Sequence, residues 1–110
     1  MWLCFNDGLL SVVADQKDPT RLMVRARRKK DLVAVAGAGA EILETPKNDY
    51  RWRTFLSREA FTKLVAERIG RIDYPNFKNS VPDRDLHDLY TEFWSLHHHY
   101  GRTDPAIPEK

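Results

Sequence analysis

Trp2-Leu3-Cys4-Phe5-Asn6-Asp7-Gly8-Leu9-Leu10-Ser11-Val12-Val13 decides the fold. Two apolar runs, Trp2–Phe5 and Leu9–Val13, flank an Asn-Asp-Gly centre. Asp-Gly supplies the positive φ angles of a tight hairpin turn, so the runs read as two short antiparallel strands. Asp15 to Thr20, with Asp18-Pro19 inside, is the next turn. From Arg21 to Arg28 the chain alternates: Leu22, Val24 and Ala26 point one way, and Arg21, Met23, Arg25 and Arg27 the other. A half-buried strand has this period of two.

Beyond it, Asp31 is placed to cap a short helix over Leu32–Ala36 that Gly37 or Gly39 ends, although the same run reads equally as a continued strand. Glu41–Thr45 and Tyr50–Leu56 form a second hairpin across Pro46-Lys47-Asn48-Asp49. In its second strand Trp52, Thr54 and Leu56 share a face, with Arg51, Arg53 and Phe55 opposite.

Two longer helices follow. Ser57 caps the first, whose stripe is Phe61, Leu64, Val65, Ile69 and Ile72. Tyr74-Pro75 ends it. Ser80, three residues before Asp83, opens the second, with Leu86, Leu89, Phe93, Leu96 and Tyr100 as its stripe and Gly101 as its stop. The order β-β-β-α-β-β-α-α indicates an α+β fold: a mostly antiparallel sheet of about five strands, the two longer helices packed on one face and arginines on the other. Residues 1–101 make a single domain and 102–110, with Pro105 and Pro108, a flexible tail.

Composition bounds the function. With 42% apolar and 31% charged residues, the 110-residue chain is an ordinary globular sequence. One cysteine makes no internal disulfide, and no cluster has structural zinc spacing, so no cofactor or metal is expected. No basic region precedes Trp2–Phe5, and no apolar run is long enough for a membrane span, which together point to the cytoplasm. The net charge of +2 is uninformative, but its distribution is not. Arg21, Arg25, Arg27, Arg28, Lys29 and Lys30 form a basic block, and Asp83, Asp85, Asp88 and Glu92 an acidic one.

The first candidate site is a set of four arginines, Arg25, Arg27, Arg51 and Arg53, sharing one sheet face. The planar guanidinium fork suits phosphates and carboxylates, so an acidic protein surface or a nucleic acid would dock there. The competing reading is a solvated face that keeps the sheet soluble. Four neutralised duplex phosphates would give a salt slope of about −3.6. The second candidate is the corner Ile72–Lys78, with Asp73, Tyr74, Asn76 and Lys78 as recognition residues, against a purely structural turn returning Tyr74 and Phe77 to the core.

His97-His98-His99 resembles a metal site, but consecutive helical residues point about 100° apart and cannot converge on one ion. Cys4 reads as a small buried thiol rather than a nucleophile, and Trp2, Trp52 and Trp94 as core, an exposed tryptophan marking an interface instead. No pair of carboxylates, no Ser-His-Asp order and no His-Glu-x-x-His suggests catalysis. A hydrolase such as a small nuclease would need His87 or His98 beside a carboxylate in a cleft.

Met1-Trp2-Leu3, Gly8 with Ser11-Val12-Val13, Val24-Arg25-Ala26-Arg27 with Asp31-Leu32, Asp49-Tyr50 with Arg53, Ile72-Asp73-Tyr74 with Asn76-Phe77-Lys78, and Trp94 together resemble a widespread family of small uncharacterised bacterial and phage proteins. The resemblance spans residues 1–96, and its most specific part is the Ile-Asp-Tyr-x-Asn-Phe-Lys element. Leu9 and Trp52 stand where the family more often has Phe and Tyr. It implies a bacterial or phage source and no catalytic roles, since the family has no assigned activity. By analogy with phage-borne domains of this size, it implies a protein partner in the host, as for an anti-CRISPR inhibitor. The reading is therefore a non-catalytic binding protein with a protein partner. A nucleic-acid binder is the alternative and a nuclease-like hydrolase the second; a homodimer is compatible with each.

Overall fold

The structure, a computed structural model, describes residues 1–106; of the expected tail, 107–110 lie outside the described residues. Five strands form one antiparallel sheet in the order β1-β2-β3-β5-β4. They are β1 (Trp2–Phe5), β2 (Gly8–Ala14), β3 (Arg21–Ala26), β4 (Leu43–Glu44) and β5 (Trp52–Ser57). The helices are α1 (Lys29–Ala36), α2 (Arg58–Gly70) and α3 (Arg84–Gly101), so the α+β class and the element order are as the sequence indicates.

The first hairpin forms with Phe5 opposite Gly8, but its turn works differently from the Asp-Gly expectation. Among the described residues only Gly37 has a positive φ, so neither Asp7 nor Gly8 uses a left-handed conformation. Gly8 is needed because a Cβ there would lie 2.8 Å from the Asp31 carbonyl oxygen. Asp31 does not cap α1 either: it sits buried in the first turn, where its Oδ2 accepts from the Leu9 amide (3.2 Å). Burial raises its carboxyl pKa, partly offset by that amide. Gly37 ends the helix at φ 92°, its amide reaching the Val33 carbonyl (2.8 Å).

The alternation in β3 and β5 holds. Val24 and Ala26 are fully buried and, with Leu10, Val12, Leu32, Val35 and Phe61, make the main core between the sheet and α1 and α2. Trp52 and Leu56 pack against it from β5. Ser57 caps α2 by accepting from the Ala60 amide (3.0 Å).

The two longer helices do not share a face. Leu3, Phe5, Leu10 and Val12 belong to the α2 side of the sheet. On the opposite pleat, Leu9 packs with Val81, Leu86 and Tyr90, and Trp2 stacks on Phe93 at 6.3 Å. This second, smaller core attaches α3 to the face that carries the arginines. Asp83, not Ser80, caps α3, accepting from the Leu86 amide at 3.0 Å. Asp83 also binds both Arg28 and Lys30, tying the start of α3 to the start of α1. Tyr90 anchors the middle of the helix: its hydroxyl donates to the carbonyls of Phe5 (2.8 Å) and Gly8 (3.1 Å).

Both helical stripes run out of cover toward their C-terminal ends. In α2 only Phe61 is buried, and Ile69, with Ile72 just past the helix end, is exposed. In α3, Leu96 and Tyr100 are exposed. The shape follows: the radius of gyration is 16.2 Å, against about 13 Å for a compact domain of this length.

Candidate functional site

Arg25 on β3 stands opposite Ser11 on one neighbouring strand and opposite Arg53 on the other. Placing like charges opposite one another across a ladder is destabilising unless something else compensates. Here the compensation is neutral. Arg25 Nη2 donates to Ser11 Oγ at 2.7 Å. Arg53 Nε donates to Thr45 Oγ1 at 3.1 Å, and its Nη2 to the Tyr50 carbonyl at 3.4 Å. Tyr50 lies between Arg25 and Arg27, each guanidinium 4.5 Å from its ring centre. Arg27 Nη1 donates in addition to the Asp49 carbonyl at 2.9 Å. Among the described residues no carboxylate forms a salt bridge with Arg25, Arg27 or Arg53. Arg25 Nε is buried and has no hydrogen-bond partner.

Arg25, Arg53 and Tyr50 border a shallow groove of about 610 Å³ between the β2–β3 and β4–β5 turns, whereas Arg27 lies outside its lining and borders a smaller pocket with Leu9, Arg28 and Leu86. Met23 lines the larger groove together with Arg25, Arg53, Tyr50, Lys47 and Asn48. Asp15 also lines the groove but is already engaged: Arg21 Nε donates to it at 2.6 Å and the Lys17 amide at 3.1 Å. The Arg21 contact is the main reason its carboxyl pKa is lowered.

The fourth expected member is elsewhere. Arg51 precedes β5 and turns to Glu44, with Nε 2.7 Å and Nη2 2.5 Å from Oε2. Glu44 is opposite Trp52 in the β4–β5 register, which puts it on the pleat away from Arg53. The basic block is likewise thinned by pairing, Arg21 with Asp15 and both Arg28 and Lys30 with Asp83. Tyr50, Lys47 and Ser11 are the site residues that sequence reasoning missed. The Tyr50 sandwich depends on how the Pro46–Asp49 turn folds back over β3, which no local pattern reports.

The corner is a separate place. Asn76 Oδ1 accepts from the Asn79 amide (3.1 Å), and Ser80 Oγ donates to the Phe77 carbonyl (2.5 Å), closing a short turn at Lys78–Ser80. The rings of Tyr74 and Phe77 are 5.8 Å apart and those of Phe77 and Tyr90 5.0 Å, so Phe77 returns to the second core while Tyr74 only packs on Phe77 and lines the groove beside Ile69 and Ile72. Lys78 Nζ lies 5.0 Å from the Trp94 ring centre, and Asp73 is exposed. None of Asp73, Tyr74, Asn76 and Lys78 borders the arginine groove.

Cys4 is not the buried thiol expected: it is exposed on the α3 side of β1, although desolvation by its surroundings raises its pKa and disfavours the thiolate. Trp2 and Trp94 are exposed as well. Among the described residues no three His, Cys, Asp or Glu side chains gather as a metal would need. His87 Nδ1 is 3.7 Å from Asp88 Oδ1, and His98 stacks on Trp94 at 5.2 Å; neither histidine lines the arginine groove. No helix among the described residues is long and apolar enough to cross a membrane.

No protein family, curated protein or solved structure compared with the chain matches it.

Proposed function

We propose that this chain is a non-catalytic binding protein that takes an acidic segment of a protein partner into the groove over Arg25 and Arg53. The observation that carries the reading is their cross-strand placement without any carboxylate salt bridge. A partner's Asp or Glu would relieve their mutual repulsion and accept the paired donors that a guanidinium presents. Tyr50 holds Arg25 and Arg27 in place beforehand, which lowers the entropy lost on binding. Guanidinium groups stay protonated and donate hydrogen bonds, so the groove is built to hold an anion rather than to move a proton.

The observations favour a protein over a nucleic acid. A phosphate track needs a run of free cations, and Arg21, Arg28, Lys30 and Arg51 are spent on carboxylates. If Arg25, Arg27 and Arg53 neutralised three phosphates, the salt slope would be about −2.7, and affinity would fall about fortyfold between 50 and 200 mM salt. The family resemblance extends the proposal to a bacterial or phage protein that acts in the cytoplasm on a host protein, in the manner of an anti-CRISPR inhibitor. That extension rests on the resemblance alone.

The test is capture from cells of the source organism by the immobilised chain, with and without nuclease, beside a variant carrying Arg25→Glu and Arg53→Glu. The reading requires a protein retained by the wild type, lost by the variant and indifferent to nuclease. Capture that nuclease abolishes would favour the nucleic-acid alternative. Equal capture by both chains, or none by either, would remove the proposal.

A further inference from the structure

β1 is the outermost strand of the sheet. Met1 and Val12 exchange two backbone hydrogen bonds across β1 and β2, both 2.8 Å. Exchanging and non-exchanging pairs alternate along an antiparallel ladder. Leu3–Leu10 and Phe5–Gly8 are therefore the exchanging pairs in β1, and the N–H and C=O groups of Trp2 and Cys4 point outward, where no strand meets them. Natural sheets guard such edges with charge or proline, and Met1-Trp2-Leu3-Cys4-Phe5 has neither a charged side chain nor a proline.

The exposed hydrophobic side chains gather around this edge. Of nine large ones among the described residues, five lie in or beside β1 or line the grooves that flank it: Met1 67%, Trp2 67%, Ile69 62%, Ile72 53% and Trp94 49%. Ile69 and Ile72 line a groove of about 420 Å³ with Leu3, Cys4 and Phe5. Trp94 and Phe93 line another, of about 460 Å³, on the α3 side of Cys4. Taking roughly 200 Å² for a large side chain, the five expose on the order of 600 Å². Specific stable interfaces begin at about 600 Å² from each partner, so the paired backbone and groove walls have only to add to this.

We propose that this edge is a homodimer interface in which the β1 strands of two copies pair antiparallel about Leu3. The edge asks for a strand with free outward backbone groups and apolar side chains on both pleats, and β1 is itself such a strand. Its free groups set the register. Trp2 of each copy exchanges hydrogen bonds with Cys4 of the other, giving four backbone bonds about a twofold axis at Leu3. Each indole then stands beside the small Cys4 of the other copy, over the groove lined by Phe77, Tyr90, Phe93 and Trp94. A twofold axis normal to the sheet also reverses directions in its plane, so the two α3 helices run antiparallel. The acids Asp85, Asp88 and Glu92 of one copy are thereby directed toward the His97–His99 and Arg102 end of the other.

Sedimentation equilibrium of the full chain tests this. The wild type is expected at twice its 12.9 kDa mass at micromolar concentrations and above. Trp2→Pro removes an outward N–H together with the indole, and Cys4→Lys adds the missing guard; neither takes away a β1–β2 backbone hydrogen bond, so both variants are expected to be monomers with unchanged far-ultraviolet circular dichroism. The register has its own test. Exchanging pairs have Cα atoms about 5.5 Å apart, within disulfide reach. With an added oxidant, Trp2→Cys therefore gives a covalent dimer through the native Cys4 of the other copy, and adding Cys4→Ser abolishes it. A wild-type monomer at every concentration overturns the proposal, as does a dimer that persists in both edge variants. A dimer that Trp2→Cys fails to cross-link overturns the register.

Discussion

Arg25 and Arg53 face each other directly in the β3–β5 ladder, and among the described residues no carboxylate salt bridge neutralises either. Neutral partners, Ser11 for Arg25 and Thr45 for Arg53, leave both charges in place. The proposed anion site would offset their repulsion, and it carries a measurable consequence.

Inorganic phosphate at about 100 mM should raise the melting temperature of the wild type by a few degrees more than that of an Arg25→Gln, Arg53→Gln variant, because a ligand bound only to the native state stabilises it by mass action. The variant supplies the control for phosphate's general effect as an excluded salt. Differential scanning fluorimetry with equal increments in the two chains would count against the groove as an anion site.

Tyr90→Phe removes a buried hydroxyl whose one proton is shared between the Phe5 and Gly8 carbonyls at the β1–β2 turn. The expected loss is about 1–2 kcal/mol in urea unfolding, with the m-value unchanged. A loss below about 0.3 kcal/mol would mean that water replaces the hydroxyl.

Gly8→Ala places a methyl 2.8 Å from the Asp31 carbonyl oxygen, and backbone on both sides must give way. A cost of about 1–3 kcal/mol is expected from such overpacking. An alanine variant as stable as the wild type would show that α1 can shift freely against β2.

Acid sensitivity should trace to Asp83. Hydrogen bonds from Lys30, the Leu86 amide and Arg28 hold its native pKa far below the usual carboxylate value. The unfolded chain then binds the extra proton first, so this contribution is complete above the ordinary carboxylate range near 3.8 and is lost as pH falls below it. Asp83→Asn can still cap Leu86 but no longer pairs as an ion. Its melting temperature between pH 2 and 6 should vary less steeply than that of the wild type. Asp31 works in the opposite sense: burial raises its native pKa, so its contribution declines as pH rises through that value, and Asp31→Asn should remove the decline.

Much of the sheet was legible along the chain. Val24 and Ala26 alternate with Met23 and Arg25 because a pleated strand turns successive side chains to opposite faces, and the structure buries the first pair. Ser57 announced α2, since a hydroxyl at that position satisfies an amide the helix leaves open. The candidate site was only partly legible. Arg25 and Arg53 could be assigned a face, but Arg51 was lost to Glu44 and Tyr50 gained by the fold of a turn.

The tryptophans and Cys4 mark the same boundary from the other side. A sequence favours core for Trp2 and Trp94 because large apolar rings usually bury, yet both are exposed at the β1 edge and over α3. By itself the sequence determined the order of elements, the apolar side of β3 and β5, the apolar stripes of α2 and α3, and several of their ends, because these follow from local backbone geometry and periodicity. Only the tertiary structure decided that α3 crosses to the arginine face, which charges cancel, and which apolar surface remains uncovered. Periodicity says which side of an element seeks cover; what covers it depends on residues far apart in the chain.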